Sequence, residues 1–123
     1  MRVLIADDDK NLAELLSLWV QELGHEVAGV ITGGGLAVIQ NYARYQADVI
    51  LLDIMMPRFN GLTVCHALLS RNPNARVIFV SGCIDGAHPF VSSSGAVGYL
   101  EKPFDREKLR EALDAAVAAA PRV

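Results

Sequence analysis

The sequence predicts an α/β fold in which a parallel sheet carries helices on both of its faces. Five short apolar runs alternate along the 123 residues with stretches in which apolar residues recur at helical spacing. The runs have few polar interruptions, which is typical of strands buried on both faces of a parallel sheet. Alternation of strand and helix indicates parallel strands joined by crossover helices. The length suits one domain, so we expect a single domain over residues 1–123 and no effector domain in this chain.

Composition and charge restrict the class of function. Apolar residues make up 52% and charged residues 20%, which is ordinary for a globular protein. The net charge of −3 argues against direct binding of nucleic acid, which requires a basic face. No stretch approaches the roughly 18 apolar residues of a membrane helix, so we expect no membrane association. Two cysteines, Cys65 and Cys83, make no disulfide framework, and a reducing cytoplasm is the expected compartment.

The first half of the chain is predicted to form three strands and two helices. One helix buries a face made of six apolar residues, namely Leu12, Leu15, Leu16, Trp19, Val20 and Leu23. Gly29 is unfavourable inside a strand, and the glycines at 33–35 are a poor helix start. The expected elements are a strand over Arg2–Ala6, a helix ended by Gly24, a strand over Glu26–Ile31, a helix from about Leu36 to Tyr45, and a strand ending at Asp53.

The second half is predicted to add two strands and three helices. The segment between Gly82 and Gly95 should contain a fourth helix, but its glycines, its proline and three successive serines oppose a long one. We expect that helix to be short, distorted or mobile. The other expected elements are a helix from about Leu62 to Ser70, a strand over Arg76–Ser81, a strand over Val97–Leu100, and a last helix capped by Asp105 and ended by Pro121.

Polar residues terminate four of the five predicted strands. These are Asp7, Asp8 and Asp9 after the first, Asp53 at the end of the third, Ser81 at the end of the fourth, and Lys102 after the fifth. In parallel sheets the carboxyl ends of the strands share one edge, and ligands bind there. The sequence therefore predicts a functional site at this edge.

The carboxylates at this edge favour a cation and a reacting group. An aspartate at the end of a buried strand, as Asp53 is, is costly unless something charged binds it. One of Asp8 and Asp9 should cap the first helix. Three successive carboxylates exceed what a cap requires, and their mutual repulsion favours a bound cation. No pair of histidines has metal-ligand spacing, so we expect His25, His66 and His88 to be structural or exposed.

Four sequence blocks, in this order and spacing, resemble the receiver domain of response regulators in two-component signalling. The blocks are Ala6-Asp7-Asp8-Asp9, Leu52-Asp53-Ile54-Met55-Met56-Pro57 with Gly61, Val80-Ser81-Gly82, and Tyr99-Leu100-Glu101-Lys102-Pro103-Phe104. The resemblance covers essentially the whole chain. It implies a flavodoxin-like (βα)5 fold, doubly wound, with a five-stranded parallel sheet in the order 2-1-3-4-5.

The resemblance also implies the role of each acidic residue. Asp53 would be the phosphoacceptor. Asp7 and Asp8 would form an acidic pocket with Asp53 that holds a divalent metal, Mg²⁺ or Mn²⁺, and the backbone carbonyl of Met55 would be a further ligand. Mg²⁺ is a hard ion that prefers such oxygen ligands.

The remaining blocks imply groups that respond to the phosphoryl group. Ser81, where the family more commonly has threonine, would contact it, and Lys102 would pair with it. Tyr99 would be the aromatic residue that turns inward in the switch. The Lys102-Pro103 peptide bond is expected to be cis.

The family further implies partners. The phosphoryl donor would be a sensor histidine kinase or a histidine phosphotransfer protein. The chain would be a phosphoacceptor signalling protein rather than an enzyme, catalysing only its own phosphorylation and dephosphorylation. The fourth helix, fifth strand and fifth helix would form the face that an unknown output partner reads, and a homodimer on phosphorylation is possible within the family.

Two features depart from the usual family pattern. The segment from Ser81 to Lys102 is about one residue shorter than usual, which suggests an atypical output face. Met55 and Cys83 lie where family members vary in their rate of dephosphorylation.

Three alternatives share parts of this pattern. A flavin-binding protein of the same architecture would need neutral loop residues where Asp7 to Asp9 stand. A Mg²⁺-dependent phosphatase would use Asp7 as nucleophile with Asp9, and would leave Asp53 without a role. A receiver that has become a phosphorylation-independent binding module should have lost one of its site residues, yet Asp53, both pocket aspartates and Lys102 are present.

Overall fold

The structure is a computed structural model that describes residues 1–55, 61–82 and 95–118. The fourth predicted helix, around Gly86 to Ser94, lies outside these residues, as do Cys83, His88 and Pro121. The described elements are β1 (Arg2–Ala6), α1 (Lys10–Glu22), β2 (Glu26–Ile31), α2 (Gly35–Tyr45), β3 (Val49–Asp53), α3 (Gly61–Arg71), β4 (Val77–Ser81), β5 (Gly98–Glu101) and α4 (Arg106–Ala118). The helix α4 is the fifth helix of the sequence prediction.

The five strands form one parallel sheet in the order β2-β1-β3-β4-β5. This confirms the predicted doubly wound α/β fold. In the central strand β3, every residue is buried, including the terminal Asp53. Asp53 pairs with Val80 of β4, and Ser81 pairs with Glu101 of β5, so the ends of these three strands lie side by side.

Alternate residues of each strand point into two separate hydrophobic layers. The layer under α2 and α3 contains Leu4, Ile50, Leu52 and Phe79, and the layer under α1 and α4 contains Val3, Ile5, Leu51 and Val80. This period of two explains why the strand sequences are apolar throughout. In the described part of the chain, no helix is long and apolar enough to cross a membrane.

The glycine inside β2 has a packing reason. The register of β1 against β2 shifts between Val3 and Leu4, which pair with Val27 and Gly29. A Cβ atom at Gly29 would lie 2.3 Å from Cε1 of Tyr45. The ring of Tyr45 therefore occupies the space that any other residue at position 29 would need.

The buried face of α1 is narrower than the sequence predicts. Leu16 and Val20 are buried as expected, together with Ala13, which completes a stripe facing the sheet. Leu15 is 39% exposed, so its assignment to the buried face was wrong. The physical reason is geometric, because a residue beside the stripe of a surface helix is turned toward solvent.

Candidate functional site

The end of β1 positions the first acidic residues. Asp7 is 1% exposed, and its Oδ1 accepts a hydrogen bond from the backbone N–H of Asp9 at 2.9 Å. The Asp9 carboxylate caps α1 by accepting from the backbone N–H groups of Asn11 and Leu12 at 3.0 and 3.2 Å. Asp8 is exposed between them. The three aspartates therefore divide their roles, and Asp9 belongs to the helix rather than to the pocket.

The end of β3 places Asp53 beside them. Asp53 is 3% exposed, and its Oδ1 accepts a hydrogen bond from the backbone N–H of Met55 at 3.1 Å. The backbone N–H of Gly61 donates to the carbonyl of Ile54 at 2.7 Å. A Cβ at Gly61 would lie 2.6 Å from the backbone oxygen of Asp53, so only glycine permits this close return of the chain.

Lys102 brings a positive charge to the same point from β5. Its Nζ lies 3.6 Å from Oδ2 of Asp7 and 3.9 Å from Oδ1 of Asp53. Its backbone N–H donates to the carbonyl of Ser81 at 2.9 Å, which continues the ladder between β4 and β5. The Lys102-Pro103 peptide bond is cis. One ammonium group thus lies between two buried carboxylates.

The electrostatics of the site favour protonation or cation binding at Asp53. Burial raises the pKa of Asp53 to about 7, and the charges of Asp7 and Asp8 act in the same direction. Lys102 and the Met55 N–H lower that pKa, but they do not cancel the effect of burial. The structure therefore holds more negative charge at this edge than its own groups compensate.

The donor set fits a hard divalent cation. One carboxylate oxygen from each of Asp7, Asp8 and Asp53 lies within 4.8 Å of the other two. Oδ2 of Asp7 is buried without a hydrogen-bond partner in the described part of the chain. A buried carboxylate oxygen of this kind is costly unless a cation or a water of its hydration shell satisfies it. Oxygen donors in this number suit Mg²⁺.

Ser81 and Tyr99 are in contact through the backbone. Ser81 is 1% exposed at the end of β4, next to the strand that ends in Asp53. The Tyr99 hydroxyl donates to the Ser81 carbonyl oxygen at 3.5 Å, and the ring packs against the hydrophobic layer under α2 and α3. Ser81 and Tyr99 are therefore in contact, and Ser81 follows the residue of β4 that pairs with Asp53.

Other sequence candidates lie away from the site or outside the described residues. His25 lies near the chain start, where its Nδ1 is 3.2 Å from the Met1 nitrogen, and His66 is exposed on α3. Cys65 is buried in the layer under α2 and α3, as expected for a small apolar residue. The contact of the Asp9 N–H with Asp7 was not predicted, although an Asp two residues before a backbone donor is a common turn pattern.

Comparison with known proteins agrees with this geometry. The family of response regulator receiver domains matches residues 3–114. The chemotaxis protein CheY of Thermotoga maritima is 33% identical over 114 residues, covering 92% of this chain and 94% of that protein. A protein-glutamate methylesterase/protein-glutamine glutaminase of Caulobacter vibrioides is 36% identical over 106 residues, and the match covers 84% of this chain but only 30% of that protein.

A solved structure shows the same fold with ligands. The CheX–CheY–BeF3–Mg²⁺ complex of Borrelia burgdorferi has a TM-score of 0.87 to this chain and 28% sequence identity, covering 98% of this chain and 90% of that one. A parallel sheet whose carboxyl edge gathers aspartates and one lysine defines the phosphoacceptor class of signalling domains. The chain belongs to the response regulator receiver domain family, and so to two-component phosphorelay signalling.

Proposed function

We propose that Asp53 accepts a phosphoryl group from a phosphohistidine of a sensor histidine kinase or a histidine phosphotransfer protein. The observation that carries this proposal is the convergence of Asp7, Asp53 and Lys102, with Lys102 Nζ within 4.0 Å of both carboxylates. Three different strands supply these groups, so their meeting is a property of the fold. A buried carboxylate with a neighbouring cation and a metal-binding donor set is suited to covalent capture of a phosphoryl group.

The proposed metal ligands are residues of the acidic pocket. Asp8 and Asp53, with the backbone carbonyl of Met55, would hold Mg²⁺ (or Mn²⁺) directly, and Asp7 would hold its waters. The similar Borrelia burgdorferi complex contains Mg²⁺ and BeF3, which supports this assignment. When bound, the metal would supply positive charge to the phosphoryl oxygens and keep Asp53 ionised.

The protein residues would act by position and charge. A carboxylate oxygen of Asp53 forms a bond to phosphorus while the donor's phosphorus–nitrogen bond breaks, and the histidine leaves with the bonding electron pair. Lys102 is already near the Asp53 carboxylate and would pair with the phosphoryl oxygens as charge accumulates there. Ser81 would donate one hydrogen bond from its hydroxyl. No general base is needed, because the nucleophile is an anion.

The proposed output follows from the contact between Ser81 and Tyr99. A phosphoryl group on Asp53 would attract Ser81, whose carbonyl accepts from Tyr99. Movement of Ser81 would change the Tyr99 environment and the face formed by the fourth predicted helix, β5 and α4. This is a shift between two populations that the phosphoryl group biases. We further predict an output partner for this face, a homodimer on phosphorylation, and a cytoplasmic location.

The phosphatase alternative is disfavoured by the position of Asp9. That mechanism needs a second carboxylate near Asp7 to act as acid and base. The Asp9 carboxylate instead caps α1 through two backbone N–H groups. A binding module without phosphorylation remains the second candidate function, and only the labelling experiment separates it from the first.

The test is incubation with acetyl phosphate, with and without Mg²⁺, followed by intact-mass spectrometry. The expected product is one phosphoryl adduct that requires Mg²⁺ and is lost on treatment with hydroxylamine, as an acyl phosphate would be. Asp53→Asn should give no adduct. Asp114→Asn, an exposed aspartate on α4, is the matched control and should be labelled like the wild type. Metal-dependent labelling of Asp53→Asn would contradict the assignment.

A further inference from the structure

The helix α1 begins directly after the acidic residues that follow β1. It also contacts the segment 102–106, which carries Lys102 and lies far along the chain. The Trp19 ring meets the Phe104 ring edge to face, with centroids 6.1 Å apart and planes at 63°. Three residues further along α1, Glu22 accepts a hydrogen bond from Arg106 at 2.9 Å, which is also an ion pair. Two independent contacts therefore fasten α1 to the stretch that runs from Lys102 into α4.

The two aromatic rings lie at the margin of the hydrophobic core, where each is partly shielded from solvent. Trp19 and Phe104 are both half-buried and pack against the hydrophobic layer under α1 and α4. Edge-to-face aromatic pairs have a preferred geometry, so the contact fixes orientation as well as proximity. Phe104 is separated from Lys102 only by Pro103, whose backbone torsion is restricted by its ring. Movement of Phe104 would therefore be transmitted to Lys102.

The other side of Lys102 is held by the sheet. The backbone N–H of Lys102 donates to the carbonyl of Ser81 in β4, which holds the backbone of Lys102 against the sheet. Two residues further along the chain, the packing of Phe104 holds the backbone again. The same helix α1 is fixed at its beginning to the acidic pocket, because Asp9 caps it and donates its N–H to Asp7. One rigid helix thus contacts both the carboxylates and the loop of the lysine.

We infer that Trp19 is a positioning residue which, through Phe104, sets the distance between the Lys102 ammonium group and the carboxylates of Asp7 and Asp53. Trp19 does not touch the reacting atoms. The inference rests on the proposed function, since the position of Lys102 matters for phosphoryl uptake. It also makes a prediction about metal binding that does not depend on phosphorylation.

Mg²⁺ affinity and labelling rate together distinguish a displaced Lys102 from a general loosening of the fold. Lys102 repels a divalent cation in the pocket, so a displaced lysine should let the pocket bind Mg²⁺ more tightly. The same displacement removes positive charge from the phosphoryl oxygens and should slow their uptake. Mg²⁺ affinity and labelling rate should therefore change in opposite directions, whereas a loosened fold would weaken both.

The experiment compares Trp19→Leu, Trp19→Phe and Phe104→Leu with the wild type and with Lys102→Met. Mg²⁺ affinity is measured by isothermal titration calorimetry, and the initial rate of labelling by acetyl phosphate is measured at saturating Mg²⁺. Trp19→Leu should bind Mg²⁺ about two- to fivefold more tightly and label about tenfold more slowly. Trp19→Phe, which keeps an aromatic ring, should recover part of both changes, and Lys102→Met should exceed them.

The controls distinguish the inference from the proposed function. Leu23→Ala alters another half-buried residue of the same hydrophobic layer and should leave both measurements within about twofold of the wild type. If the wild type labels but Trp19→Leu labels at the same rate, or if its rate and Mg²⁺ affinity fall together, the inference is wrong. If the wild type takes no phosphoryl group, the proposed function fails, and the Mg²⁺ affinities alone support or overturn the positioning role.

Discussion

The two edges of the sheet treat charge in opposite ways. At the edge where the strands begin, the Arg2 guanidinium contacts Glu26 at 2.9 Å and donates to the backbone carbonyl of Tyr45 at 2.9 Å. The Arg2 backbone N–H donates to Asp48 at 2.7 Å. At the edge where the strands end, Oδ2 of Asp7 is buried with no hydrogen-bond partner among the described residues, and the Lys102 ammonium group lies 3.6 Å from it. The charge of Arg2 at the first edge is matched by groups of the protein itself.

The edge whose charges are only partly compensated is the one that is suited to bind a ligand. Burial and like charges raise the pKa of Asp53 to about 7, and Lys102 compensates for that only in part. We would expect the charges of a purely structural ion pair to be fully compensated by the protein, as the charge of Arg2 is. Carboxylates that the protein compensates only in part are unfavourable by themselves and become favourable when a cation binds them. Four substitutions test this contrast between the two edges of the sheet.

The largest effect is expected at Gly61, which shapes the edge that binds. Gly61→Ala would place a Cβ 2.6 Å from the Asp53 carbonyl oxygen and 2.7 Å from Cα of Ile54, both backbone atoms. We expect the free energy of unfolding to fall by about 2–4 kcal/mol, measured by urea denaturation. Gly82→Ala is the control at the same edge, because its Cβ would meet Lys102 Cβ at an ordinary 3.6 Å. Equal stability of the two variants would contradict the prediction.

The next effect is a pH dependence caused by Asp53. Its pKa is raised in the folded state, from 3.8 to about 7, so folding favours its protonated form. That contribution is complete below the unfolded pKa and is lost as the pH rises through about 7. Without Mg²⁺, the stability of the wild type relative to Asp53→Asn should fall by about 1–3 kcal/mol between pH 4 and pH 8.

Chemical denaturation at several pH values measures this difference. Saturating Mg²⁺ should restore the lost stability of the wild type at pH 8 and should have a smaller effect on Asp53→Asn. A difference between the two proteins that is constant with pH would mean that folding does not shift the pKa of Asp53.

A smaller effect is expected where the charges are matched. Arg2→Met should lower the free energy of unfolding by about 1 kcal/mol, because Glu26 and the Tyr45 carbonyl lose a donor. Labelling by acetyl phosphate should be unchanged, since Arg2 lies at the opposite edge. Arg44→Met is the matched control, because the exposed Arg44 guanidinium donates a hydrogen bond to Asn41 on the same helix. A slower labelling rate in Arg2→Met would show that the two edges are coupled.

The smallest effect is expected on the exposed surface of α4. Arg110 pairs there with Glu107 and Asp114, and hydrogen bonding to Arg110 lowers the pKa of Glu107. Exposed pairs of this kind add little stability because water already solvates both charges. Arg110→Ala should therefore leave the melting temperature unchanged within error in a thermal scan at moderate salt. A clear decrease would mean that α4 depends on this network.

The sequence predicted the strands well because their signal is local. Runs such as Val49–Asp53 are apolar throughout, and the structure places all of that strand in the interior. The cap of α4 by Asp105 was also predicted, and the cap of α1 was narrowed to Asp8 or Asp9, because a cap depends on residues at most three positions away. Leu15 was assigned wrongly, since the edge of a buried stripe depends on what packs against the helix.

The sequence predicted that acidic residues and Lys102 would lie at one edge of the sheet, but it did not predict the electrostatics there. The ends of parallel strands share one edge, so the meeting of Asp7, Asp53 and Lys102 followed from the topology. The raised pKa of Asp53 depends on burial and on distances across three strands, which no local pattern contains. The contact of Trp19 with Phe104 joins residues 85 positions apart and was likewise not visible in the sequence.

The packing of Trp19 against Phe104 also gives the molecule an optical probe. Trp19 is the single tryptophan of the chain, so fluorescence excited at the long-wavelength end of tryptophan absorption comes from one point in the fold. That point lies against the loop that carries Lys102. Intrinsic fluorescence of the unlabelled protein should therefore follow the arrival of a metal ion or phosphoryl group in real time, by stopped-flow mixing and without any attached dye.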